Sequence, residues 1–126
     1  MEEDIRARLA GTLTIAAQVR ERITWGAREQ GAALPAVCMQ VISGPREYQM
    51  SGPTGLKAAR VQVECWGSTY EDAKRLARLV NTSLGGAIFG VVQGAFLDSE
   101  RDIAGTDAGG RRVFCTSMDF RVWAGE

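Results

Sequence analysis

The chain contains no histidine, and that absence removes the side chain most often used as a general base, a metal ligand or a charge switch near neutral pH. Every Ser-His and Cys-His nucleophile pair goes with it. Cysteine is scarce: Cys38, Cys65 and Cys115 are odd in number, far apart and each inside an expected strand, so they read as buried free thiols. Neither sign of charge is in surplus, because 15 basic and 15 acidic residues give a formal charge of zero. Tight binding of a phosphate backbone needs clustered excess Lys and Arg and is argued against. The same balance leaves little electrostatic protection against self-association. No apolar run approaches the ~20 residues that cross a bilayer. The opening Met1-Glu2-Glu3-Asp4 is acidic where a secretory leader would be basic. Folding in the cytosol is the expectation.

What remains is enough for one domain. At 126 residues the chain can bury a real core but cannot build a second one. Its hydrophobic content of 45% against 24% charged residues is that of an ordinary soluble globular protein.

Ile5, Leu9, Leu13 and Ala16 recur at steps of three and four, the helical period. Gly11-Thr12 interrupts them, since Gly weakens a helix interior and Thr can cap a new one. The pattern therefore fits two short helices over 3–10 and 13–20, or one continuous helix. Ile23 and Trp25 suggest a brief strand, and 26–33 a loop. Pro35 pushes the residue before it to extended angles and leads into a strand over 36–43, covered on much of both faces. A long loop with Pro45, Gly52 and Pro53 follows over 44–55. Ala59, Val61, Val63 and Cys65 then alternate with Arg60, Gln62, Glu64 and Trp66, the mark of a half-buried strand. Ser68 with Glu71 forms a capping box, and Tyr70, Ala73, Leu76, Ala77, Val80 and Leu84 stripe the helix it opens, which Gly85-Gly86 ends. Two more strands, 91–98 and 112–123, pair as a hairpin across a polar, Gly-rich segment over 99–111. In the second, Phe114, Met118, Phe120 and Val122 share one side, and Val113, Cys115, Ser117, Asp119 and Arg121 the other. The fold class is α+β: one mostly antiparallel sheet with helices on one face.

No motif carries chemistry. Asp98-Ser99-Glu100-Arg101-Asp102 places acids at alternate positions, but Ile103 stands where a calcium loop wants Gly, so a solvated strand end is the simpler reading. Gly52-Pro53-Thr54-Gly55-Leu56-Lys57 is two residues short of a phosphate loop, and Ala58 replaces the hydroxyl that would hold magnesium. Gly109-Gly110-Arg111-Arg112 reads as a solvated edge before an anion patch. Trp25, Trp66 and Trp123 each sit at a strand end, where an indole buries its rings and still finds an N–H partner. No catalytic residue, cofactor site or metal site is assigned.

Several stretches in order resemble the small phage tail-completion, or tail-terminator, proteins also found in gene transfer agents. They are Leu34-Pro35, Ile42-Ser43-Gly44 leading to Glu47-Tyr48, Gly52-Pro53 with Gly55-Leu56, and the run Arg60-Val61-Gln62-Val63-Glu64-Cys65-Trp66. Tyr70 with Ala73 and Leu76-Ala77, Phe96-Leu97-Asp98 with Glu100-Arg101-Asp102, and Asp119-Phe120-Arg121-Val122-Trp123 complete the set. The resemblance implies a non-enzymatic subunit of a ring, typically of six, on the head-proximal end of a tail tube, assembled in the bacterial cytoplasm. Its implied partners are further copies of itself, the tube protein and the head connector, with DNA only passing through the pore and no membrane. It places the contacts on two long loops, at Arg46, Glu47, Tyr48, Gly52 and Leu56 and at Glu100, Arg101, Asp102, Arg111 and Arg112. The readings from other classes are a cytosolic α+β domain that binds a small ligand or acts as a histidine-free enzyme, and a basic-patch nucleic-acid module.

Overall fold

The computed structural model describes residues 1–28, 31–43 and 57–125. Two short helices, α1 (Glu2–Ala10) and α2 (Leu13–Val19), open the chain. The break at Gly11-Thr12 is real: Thr12 takes extended angles as the α2 N-cap, and its hydroxyl bonds back to the Arg8 carbonyl at 2.8 Å. Strand β1 (Ile23–Trp25) follows, and residues 26–35 cross to β2 (Ala36–Ser43) through a cis Leu34–Pro35 peptide bond. Then come β3 (Lys57–Gly67), α3 (Tyr70–Leu84), β4 (Val92–Thr106) and β5 (Arg112–Ala124), the last two joined by a 3-10 turn over Ala108–Gly110.

The five strands form one sheet in the order β1-β2-β3-β5-β4. Only β1 and β2 run parallel; every other neighbour is antiparallel. Side chains alternate across a strand, so the registers Val61↔Phe120 and Val63↔Met118 carry one face into a common core. Onto these residues, with Val37, Met39 and Ala95, pack Ile5, Leu9, Ile15 and Val19 from the N-terminal helices and Leu76, Ala77, Val80 and Leu84 from α3. All three helices thus cover the same side of the sheet. Gly67 lets α3 begin so close to β3: a Cβ there would lie 2.7 Å from the Ala73 amide nitrogen and 2.9 Å from the Asp72 Cβ.

The α3 cap differs from the sequence expectation by one residue. Thr69, not Ser68, is the N-cap: it holds extended angles, and its hydroxyl accepts from the Asp72 amide at 3.1 Å. Thr69-x-x-Asp72 offers the same chemistry as Ser68-x-x-Glu71, and the sheet end at Gly67 decides between them. The larger correction concerns 99–111, expected to be a loop. Strand β4 runs on to Thr106 against β5, and only 107–111 turn. The polar run is an exposed edge, whose inward backbone groups pair with β5 and whose side chains face water. The expected long loop over 44–55 lies outside the described residues.

Candidate assembly surface

The face of the sheet away from the helices divides in two. At the end where β2 and β5 begin, the described crossover residues 26–28 and 31–35 lie on it. Arg28 places its guanidinium 4.5 Å from the centroid of the Trp66 ring and reaches Asp107 Oδ2 at 3.1 Å. The same oxygen accepts from the Gly31 amide at 3.1 Å and from Arg111 at 2.6 Å, while Arg111 also donates to the Ala32 carbonyl at 2.8 Å. Cys38, Val113, Cys115 and Ser117 are buried beneath. The first half of β5 is therefore covered on both faces, which its alternation does not reveal. Trp66 Nε1 is buried with no hydrogen-bond partner among the described residues, contrary to the expectation for a strand-end indole, and the Arg28 guanidinium lies over its ring.

The other end of this face is open and polar. Arg60 on β3 bridges Asp98 at 2.9 Å and Asp119 at 3.8 Å, Arg121 approaches Asp98 at 3.9 Å, and Ser99 donates to Asp119 at 3.2 Å. Asp98 is the extra residue of a bulge, since Leu97 faces Phe120 while Ser99 already faces Asp119.

Strand β4 is the edge of the sheet. Its first residues are tied to the segment before it, Val92 to Phe89 and the Ala95 carbonyl to the Gly86 amide, but from Phe96 onward β5 is its one partner among the described strands, every residue is exposed and the outer side offers unpaired amides and carbonyls. Large apolar side chains lie on it in the open: Phe96 is 53% exposed, Ile103 43% and Leu97 37%. Phe96 folds back over Gly94, where an added Cβ would meet its ring at 2.9 Å.

On the helix side of β4, Glu100 and Asp102 reach α3. Lys74 bridges them at 3.0 and 2.9 Å, and Asp102 also accepts from Thr116 at 3.0 Å and Tyr70 at 3.4 Å. Those bonds, to Asp102 first and then Glu100, hold the Lys74 ammonium above the ordinary lysine range. The Asp102 carboxyl is held below the usual carboxylate range, chiefly by Lys74. The Lys74–Asp102 pair is therefore an ion pair at neutral pH.

The structure thus brings Glu100, Arg101 and Asp102 together on one edge strand rather than a loop. Arg111 is drawn inward to Asp107, and Arg112 stays exposed, its guanidinium 5.8 Å from the Phe114 ring centroid. Arg46, Glu47, Tyr48, Gly52 and Leu56 lie outside the described residues. Sequence reasoning missed the exposed Phe96, Leu97 and Ile103 and the Arg28–Asp107 fastening. Apolar Phe96, Leu97 and Ile103 flanking the wholly polar run Asp98–Asp102 were the available signal for an edge. Among the described residues, no group of three or more Cys, Asp or Glu side chains is placed to hold a metal ion, and no helix is long and apolar enough to cross a membrane.

The family model described as "Tail completion protein gp17" matches residues 3–124. The chain belongs to that tail-completion family. It is a structural protein of a phage-like tail, assembling with other tail and head components, and the virion tail is its place. One solved chain from the structure titled "Virion of native gene transfer agent (GTA) particle" superposes with a TM-score of 0.73 at 15% identity, over 100% of this chain and 95% of that one. At that identity the likeness shows the fold, which is the α+β arrangement expected from the sequence. No curated protein sequence matches the chain significantly.

Proposed function

We propose that this tail-completion protein forms a closed ring of six on the head-proximal end of the tail tube, where it ends tube growth and presents a docking surface to the head connector. The observation that carries the reading is β4: a 15-residue edge strand whose outer side has no described strand partner from Phe96 onward and on which three large apolar side chains are exposed, in a subunit with no site chemistry among its described residues. Such an edge is stable in solution only if short, charged or covered, and here the charges are present but the length is not short. Ring formation needs two different complementary surfaces on each copy. The β4 edge with Glu100, Arg101 and Asp102 supplies one, Arg111 and Arg112 at the hairpin turn border it, and Arg46, Glu47, Tyr48, Gly52 and Leu56 are assigned to the contacts with neighbours, tube or connector. Zero net charge suits a pore through which DNA passes without adhering.

Electron microscopy of particles made without this protein tests the reading. Tails of uncontrolled length, or tails detached from heads, are the expected result. Tails of normal length on filled heads would overturn it.

A further inference from the structure

The sheet has two edges, and they are not equivalent. Strand β1 has three residues, and α1 closes its outer side: Arg6 Nε donates to the Ile23 carbonyl at 3.1 Å. Strand β4 is closed at its start, where Val92 bonds to Phe89 and the Ala95 carbonyl accepts from the Gly86 amide, but from Phe96 to Thr106 its residues are all exposed and no further described strand pairs with it. Among the described strands, β4 is therefore the one at which two sheets can join, and two copies that join there must do so β4 to β4. We propose that the free chain, before it meets a particle, is a two-fold dimer made by antiparallel pairing of β4 with β4 of a second copy. This inference does not depend on the ring reading.

The pattern of β4 selects the register. On the face away from the helices lie Phe96, the bulge pair Asp98 and Ser99, Arg101 and Ile103; on the helix face lie Leu97, Glu100, Asp102 and Ala104. With the two-fold axis at Glu100, each residue meets one from the same face, as antiparallel pairing requires. Phe96 then faces Ile103 of the second copy, twice. Arg101 faces the bulge of the second copy and so comes beside its Asp98, also twice. The two largest exposed apolar groups of the edge are covered and opposite charges meet, both favourable as cross-strand pairs. Centring the axis at Arg101 instead opposes two arginines and separates Phe96 from Ile103.

One feature of the chosen register is unfavourable, and it makes the proposal sharp. Glu100 meets Glu100 across the axis. Each is bridged by its own Lys74 at 3.0 Å, so the acids are locally neutralised rather than bare. A dimer of modest affinity follows, one that a tail end could compete apart.

Three variants of the full chain read the register. Glu100→Cys puts a thiol on the axis opposite itself, and directly opposed strand positions come within disulfide reach; the native cysteines are buried and do not compete. Mild oxidation should convert most of this variant to a covalent dimer, and Thr106→Cys, at the far end of the strand, much less. Glu100→Gln should tighten dimerisation measured by sedimentation equilibrium, and Ile103→Lys should weaken it about tenfold, the loss of two apolar cross-strand pairs. Ile103 is exposed, so an unchanged melting temperature of the monomer separates lost pairing from lost folding. The proposal is overturned if the wild-type chain sediments as a monomer at hundreds of micromolar, if it sediments as a closed ring, or if Thr106→Cys cross-links as readily as Glu100→Cys.

Discussion

The Arg28 guanidinium lies over the Trp66 indole and, from there, meets Asp107 at 3.1 Å. Two segments far apart in sequence, the crossover after β1 and the turn between β4 and β5, are thereby fixed to each other and to the last residues of β3. The joint is buried: the side chains of Arg28 and Asp107 are 10% and 1% exposed. Its stability depends on completeness, because a buried charge that loses its partner costs more than the pair contributes.

Replacing Asp107 by Ala leaves Arg28 enclosed without that carboxylate and releases Arg111 and the Gly31 amide. A loss of about 3 kcal/mol is expected, read as a lower urea midpoint with an unchanged slope. Arg112→Ala, at an exposed position nearby, should stay within about 0.5 kcal/mol of wild type.

The α3 cap separates neighbours. Thr69→Ala removes the acceptor for the Asp72 amide and should cost about 1 kcal/mol. Ser68→Ala should change stability by less than about 0.5 kcal/mol, although the sequence alone nominates Ser68. Paired thermal melts of the two variants decide the matter.

Phe120 is fully buried among Val61, Leu76 and the other core residues. Truncation to Ala combines lost transfer energy with a cavity and is expected to cost about 3–5 kcal/mol, measured by chemical denaturation.

The Asp102 carboxyl titrates below its ordinary range, so its contribution to stability is present above the unfolded carboxyl pKa and fades as pH falls through the lowered folded value. Lys74 is shifted the opposite way, and its contribution persists through neutral pH and fades only in strong alkali. Wild type should therefore lose stability below about pH 4 more steeply than Asp102→Asn. The difference is at most about 1 kcal/mol for a group this exposed, and melting temperatures between pH 2 and pH 7 measure it.

Burial raises all three thiols, Cys65 most strongly and Cys115 to about 12. Since the thiolate is the reactive form, a thiol reagent at pH 8 should label the folded protein slowly at each site and the urea-unfolded protein at all three within minutes.

Elements with a strong period were legible in the sequence. The alternation from Ala59 to Trp66 and the stripe from Tyr70 to Leu84 became β3 and α3, because each has one apolar face and one core to meet. Residues 99–106 were not legible, since an edge strand in water has no buried face to impose a period of two. The Arg28–Asp107 joint was equally hidden: 79 positions separate the partners, and no local pattern announces a contact between two loops. Of the candidate interface residues, Glu100, Arg101 and Asp102 were chosen through family resemblance, and their placement on a strand rather than a loop came from the backbone.

Strand β4 has β5 as its strand partner among the described residues, and β5 also completes β3. The outer margin of the sheet is therefore unfinished until the last strand of the chain has been made. A product truncated before Arg112 would consequently leave β4 without β5 to pair with, and the edge that we propose for assembly would not form in it.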